Sequence, residues 1–140
     1  MTAAIVIIAL VAATTLLGLA WQHGQGRVRR TGRSGVVRAS ELPGVHRLAS
    51  GATLLQFSSE VCAACTPTRA LLGTIASTRD DVAHVDLDIT HRPDLANRFN
   101  VLQTPTTLIL DRRGTVRARI GGAPRRDTLT AELTRILEAS

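Results

Sequence analysis

The chain has 140 residues, room for one small domain, and it is 44% hydrophobic with 20% charged residues, which excludes a disordered or collagen-like polymer. Its basic residues are all arginine, and five of its net +6 charges (Arg27, Arg29, Arg30, Arg33 and Arg38) fall within residues 1–40, where there is no acid. The remainder is nearly balanced and carries few aromatics to stack bases, so no nucleic-acid partner is expected.

The chain opens with twenty uncharged residues, Thr2 to Trp21. As a helix they extend about 30 Å, the thickness of a bilayer's hydrocarbon core. Trp21 ends the run where an amphipathic ring suits the interface. A cleaved secretory signal is the competing reading, because Gly18-Leu19-Ala20 loosely fits a small-x-small cleavage site. Met1-Thr2-Ala3-Ala4 lacks a basic n-region, however, and the run exceeds a usual signal core, so residues 2–21 are expected to be an uncleaved anchor. All the flanking arginines follow the helix, which predicts a single-pass cell-membrane protein with its C-terminal domain cytoplasmic. Residues 22–35, with four glycines among the arginines, read as a flexible basic linker attracted to anionic lipid head groups.

From residue 36 onward, strand and helix signals alternate. Val36-Val37 is a weak strand, and Ser40–Pro43 could begin a short helix. Thr53–Phe57 is an apolar run bounded by Gly51 and Ser58-Ser59, which predicts a strand. A helix follows with Leu71, Leu72, Ile75 and Ala76 on its buried side, fading at Ser77-Thr78. Val82–Leu87 is a strand, Pro93 starts a helix carrying Leu95, Ala96 and Phe99, and Thr106–Leu110 is a strong strand. Asp111–Gly114 turns the chain into a hairpin partner, Thr115–Ile120, and residues 127–137 form an amphipathic helix. This order predicts a three-layer α/β/α sandwich around a mixed sheet.

The chemistry lies in Cys62-Ala63-Ala64-Cys65, which holds both cysteines of the chain between a buried-type strand and a helix. Helix N-terminal amides stabilise a thiolate, so the first cysteine's pKa is expected to fall toward neutrality. The second, one turn on, can attack a mixed disulfide. A structural disulfide over so short a loop would add little stability. Zinc would require further ligands, and His84 and His91 are not spaced to supply them, so no metal and no cofactor is expected. Asp86, Asp88 and Asp94 lack the order of an EF-hand. Arg112, Arg113, Arg117, Arg119, Arg125 and Arg126 read as a solvated basic surface.

Over residues 36–140 the sequence resembles the thioredoxin family. Thr53–Thr66 looks like its active-site strand and helix, and Gln103-Thr104-Pro105-Thr106-Thr107 looks like its cis-proline loop. Asp111–Gly114 resembles its hairpin turn, and Gly121-Gly122-Ala123 its glycine stretch. The resemblance implies a thioredoxin-like fold, Cys62 as nucleophile, Cys65 as resolving thiol, and Thr104 and Pro105 beside an extended substrate. Protein thiols and disulfides are the implied partners, met by a monomer. The sequence departs from the family at Val61, where a Trp is usual, and at Ala63-Ala64, where Gly-Pro is usual. Gln56 stands at the position of the family's buried carboxylate, and His84 at that of the facing Lys. His84 and Glu60 are therefore the candidates for proton transfer, against plainer readings as a strand histidine and a solvated loop residue. Two alternatives stay open: an extracytoplasmic domain serving cytochrome maturation or disulfide handling, and a non-enzymatic interaction or redox-sensing module.

Overall fold

Strand β2 (Ala52–Ser58) is buried along its whole length, so its alternating side chains must be covered on both faces. Ala52 and Leu54 point to one side, where helices α2 (Cys65–Ser77) and α4 (Arg126–Glu138) bring Leu72, Ile75, Leu129, Leu133 and Ile136. Leu55 and Phe57 point to the other side, toward α3 (Pro93–Arg98) and the chain around Val37 and Leu42. The rings of Phe57 and Phe99 lie 5.1 Å apart, a favourable tilted contact. A computed structural model, describing residues 1–24, 26–31 and 35–139 with His23 through its backbone alone, thus has the expected three layers.

The sheet is mixed, in the order β1 (Val28–Arg30), β5 (Val116–Gly121), β4 (Thr106–Asp111), β2, β3 (Val82–Asp88). Strand β3 runs parallel to β2, whereas β4 and β5 form an antiparallel hairpin on its other side. Gly114 closes that hairpin with φ +77°, and a Cβ there would lie 2.1 Å from the Val37 carbonyl oxygen, so glycine is required. Phe57, Thr106, Gly121 and Leu87 fall in one row, which makes the carboxyl end of β2 the end where the loops of interest meet.

Helix α1 (Thr2–Gly24) stands apart from this core, and all its described side chains are exposed. Residues Thr2–Gln22 are long and apolar enough to cross a membrane, with mean hydropathy 2.6. The hydroxyls of Thr14 and Thr15 donate back to the Leu10 and Val11 carbonyls, which satisfies them within the helix.

The amino-terminal part of the domain differs from the sequence expectation. Residues 22–35 read as a linker, yet α1 continues to Gly24 and Val28–Arg30 forms β1, antiparallel to β5. Val36 makes a single bridge to Thr115 instead of a strand, and the short helix is a 3-10 turn at Ala39–Glu41. The arginines hid β1, because a three-residue edge strand needs little apolar content when one face is in water. Arg30 is held by buried Glu132 of α4, whose carboxylate also receives Arg135. Their hydrogen bonds, that of Arg135 foremost, keep the Glu132 carboxyl below its ordinary pKa. Gly32 and Arg33 of the basic segment lie outside the described residues.

Candidate active site

The loop leaving β2 turns at Ser59–Cys62 and enters α2 at Cys65. Its backbone closes stepwise, with Cys62 N–H donating to the Ser59 carbonyl and Cys65 N–H donating to that of Cys62. The two cysteines are joined in a disulfide with their Cα atoms 5.4 Å apart. They differ in access: Cys62 is half-buried, whereas Cys65, the first residue of α2, is 2% exposed. On reduction, only the Cys62 sulfur would be readily reached from solvent.

The second loop, from Leu102 to Pro105, faces the first. The Thr104–Pro105 peptide is cis, as the resemblance implies. The Ser59 and Thr104 hydroxyls are 2.9 Å apart and tie the two loops together. The Pro105 carbonyl accepts the Gly122 N–H, which fixes the second loop to the end of β5. Val61 and Leu102 are 95% and 88% exposed, so each of the two loops carries an exposed apolar side chain.

Beneath Cys65 lies Gln56. It follows Ala52 and Leu54 at every second residue, so its side chain points toward α2 and is fully buried. Its amide Nε2 donates to the Cys65 carbonyl at 3.0 Å, leaving Oε1 as the atom 3.1 Å from His84 Nε2. Because Oε1 can only accept, His84 must carry its proton on Nε2 and leave Nδ1 bare when neutral. Burial pushes the His84 pKa down, with Arg69 adding to the effect and Asp86 opposing it. The Arg69 guanidinium is bonded to Asp86 by both a hydrogen bond and an ion pair, so the neighbouring charges largely offset each other. His84 therefore reaches the site through Gln56. Glu60 does not join this chain: it is exposed, and its backbone N–H donates to Thr90 Oγ1.

The remaining candidates have local duties. Asp86 pairs with Arg69, Asp94 pairs with Arg92, and Asp88 Oδ1 accepts from the Thr90 backbone and hydroxyl. Arg117 approaches Asp111 at 3.6 Å, and Arg119 donates to the Phe99 and Asn100 carbonyls after α3, so these two strand arginines are partly structural. Ser59 was not singled out from the sequence. Its signal there, a hydroxyl next to a strand end, is shared with most turns.

The family model described as Thioredoxin matches residues 45–135. The chain belongs to the thioredoxin family. It is 32% identical over 83 residues to thioredoxin H2 of Arabidopsis thaliana, an alignment covering 59% of this chain. It spans 61% of that relative's length. Among solved structures it superposes on mitochondrial thioredoxin 3 of Saccharomyces cerevisiae with a TM-score of 0.54 and 22% identity, over 61% of this chain and 79% of the other. A thioredoxin of Nicotiana alata gives a TM-score of 0.55 at 24% identity, over 63% of this chain and 75% of the other. These structural likenesses concern the fold.

The His84 geometry makes a spectroscopic prediction. Since burial disfavours the imidazolium, its titration midpoint falls below the ordinary value of about 6.5. The stability associated with the neutral ring is complete above that value and is lost as pH falls toward the lowered one. Nitrogen-15 NMR at neutral pH is expected to show the Nε2–H tautomer. A midpoint above the ordinary value, or an Nδ1–H tautomer, would contradict the Gln56 contact.

Proposed function

We propose that this protein is a membrane-tethered thiol–disulfide oxidoreductase acting on protein disulfides. The observation that carries the reading is the Cys62–Cys65 pair at the start of α2, the first cysteine half-buried and the second buried, on the loop tied to Thr104 of the Pro105 loop. In the reduced protein, the Cys62 thiolate attacks one sulfur of a substrate disulfide. A Cys62–substrate disulfide forms, the substrate S–S bond breaks, and the departing substrate thiolate takes a proton. Cys65 then loses its proton and attacks Cys62 Sγ, which closes the intramolecular disulfide and releases the second substrate thiol. Two electrons pass from the protein dithiol to the substrate, and an external dithiol restores the reduced form.

The helix N-terminus favours the Cys62 thiolate. Thr104 and Pro105 offer their backbone to an extended substrate segment, a form of strand addition. Gln56 has no proton to exchange, so Cys65 deprotonation relies on a route beyond it. His84, one hydrogen bond further on, is the ionisable group linked to that position. Exposed Glu60 remains the solvent-side candidate. Helix α1 supports an anchor, and the arginines that follow it support a cytoplasmic domain near anionic lipid.

Two experiments test this reading. With insulin as disulfide substrate and dithiothreitol as reductant, the vesicle-embedded chain accelerates reduction, Cys62→Ser abolishes the acceleration, and Cys65→Ser accumulates a mixed disulfide through Cys62. Retained activity in Cys62→Ser would refute the assigned roles. For topology, alkaline phosphatase fused after residue 139 is expected to stay inactive while a fluorescent protein fused there is bright. Strong phosphatase activity would put the domain outside.

A further inference from the structure

The geometry points to a redox site that faces the bilayer, so that its substrate class is disulfides held at the membrane surface rather than those of freely diffusing proteins. This rests on the anchored reading of α1 and adds where the site sits relative to the anchor.

The placement follows from where the chain enters the sheet. Two residues after α1 ends at Gly24, the Gly26 N–H donates to the Gly121 carbonyl at 2.8 Å. Gly26 has φ +71°, and a Cβ there would lie 2.5 Å from the Ala123 carbonyl oxygen, so glycine allows this close docking. The chain then runs as β1, with Val28 opposite Ile120 and Arg30 opposite Ala118, and Thr31 N–H donates to Arg117. It therefore enters at the carboxyl end of β5 and runs away from it. Gly121 is opposite Thr106, and Thr106 is opposite Phe57, so this is the same end of the sheet that carries Cys62 and Pro105. The next residue, Gly122, bonds the Pro105 carbonyl. The anchor is thus fastened to the active-site end by backbone hydrogen bonds and β1 pairing.

Distances set a bound. From Gln22, the last residue of the apolar span, to Gly26 is at most about 14 Å of extended chain. Three strand spacings from β1 to β2 add about 14 Å. The end of β2 beside the disulfide therefore lies within about 30 Å of the hydrocarbon boundary, and the turn at Arg112–Gly114 is at the opposite end of the strands, about 20 Å from it. A cleft joins Gly24, Arg27 and Arg29 to Leu102 and Gln103, adjoining Thr104. Arg27 and Arg29 have no ion-pair partner among the described residues, and their charge suits anionic head groups on that side.

Two readouts on the full chain in phosphatidylcholine–phosphatidylglycerol vesicles test the inference. The first is energy transfer to a headgroup-linked acceptor lipid. A donor on Cys62 in the Cys65→Ser chain should transfer at least about twofold more strongly than a donor on Arg113→Cys in a chain with both native cysteines replaced by Ser, given the strand length between the sites. Equal or reversed transfer overturns the orientation. The second is the ratio of reduction rates for a lipid-anchored peptide disulfide on a short spacer and the same peptide in solution. Inserting about 20 Gly/Ser residues after Gly24 should lower this ratio roughly tenfold by diluting the local concentration. An unchanged ratio overturns the substrate class. Failure of the unmodified chain to float with the vesicles overturns the anchored reading itself and this inference with it, a result distinct from flotation with equal transfer.

Discussion

The carboxyl end of β2 is where three loops have to meet, and the 2.9 Å contact between Ser59 and Thr104 holds two of them together. It is the side-chain hydrogen bond that joins the cysteine loop directly to the Pro105 loop. The third segment, Gly121–Gly122, is tied in by the Pro105 carbonyl. These polar contacts work because the sheet below them is rigid. Residues of β2 and β4 are buried throughout, and burial of each large aliphatic side chain contributes roughly 1.5–3 kcal/mol. The apolar layers supply the stability, and the few hydrogen bonds at the strand ends supply the geometry.

That division explains Gln56. A polar residue in the middle of a buried strand costs stability unless its hydrogen bonds are made inside. Gln56 makes them with the Cys65 carbonyl and His84, so it braces the first turn of α2 while remaining uncharged. A carboxylate there would bring a proton acceptor with it. The amide brings position alone, and the group it contacts, His84, is a half-buried histidine whose pKa burial lowers.

Most of the central architecture was legible in the sequence because its signals are strong and local. Thr53–Phe57 and Thr106–Leu110 are apolar runs of strand length, Pro93 marks a helix start, and Leu129, Leu133 and Ile136 keep helical spacing. The cis Thr104–Pro105 peptide was legible through the family's motifs. What was not legible depended on partners distant in sequence. Val28–Arg30 is a strand only because the β5 edge is there to accept it, and its charges resemble those of a linker. The Ser59–Thr104 contact spans 45 residues between two short polar side chains with no pattern of their own. Arg119 looked like surface charge, yet it serves two backbone carbonyls after α3.

The proposed chemistry needs an accessible Cys62 that meets substrate and a buried Cys65 that follows it. The most direct measurement is competitive alkylation of the fully reduced chain with substoichiometric iodoacetamide near neutral pH, followed by peptide mass spectrometry. The account predicts modification of Cys62 at least about tenfold ahead of Cys65, because thiolate character and exposure both favour it. Equal labelling, or labelling of Cys65 first, would contradict it.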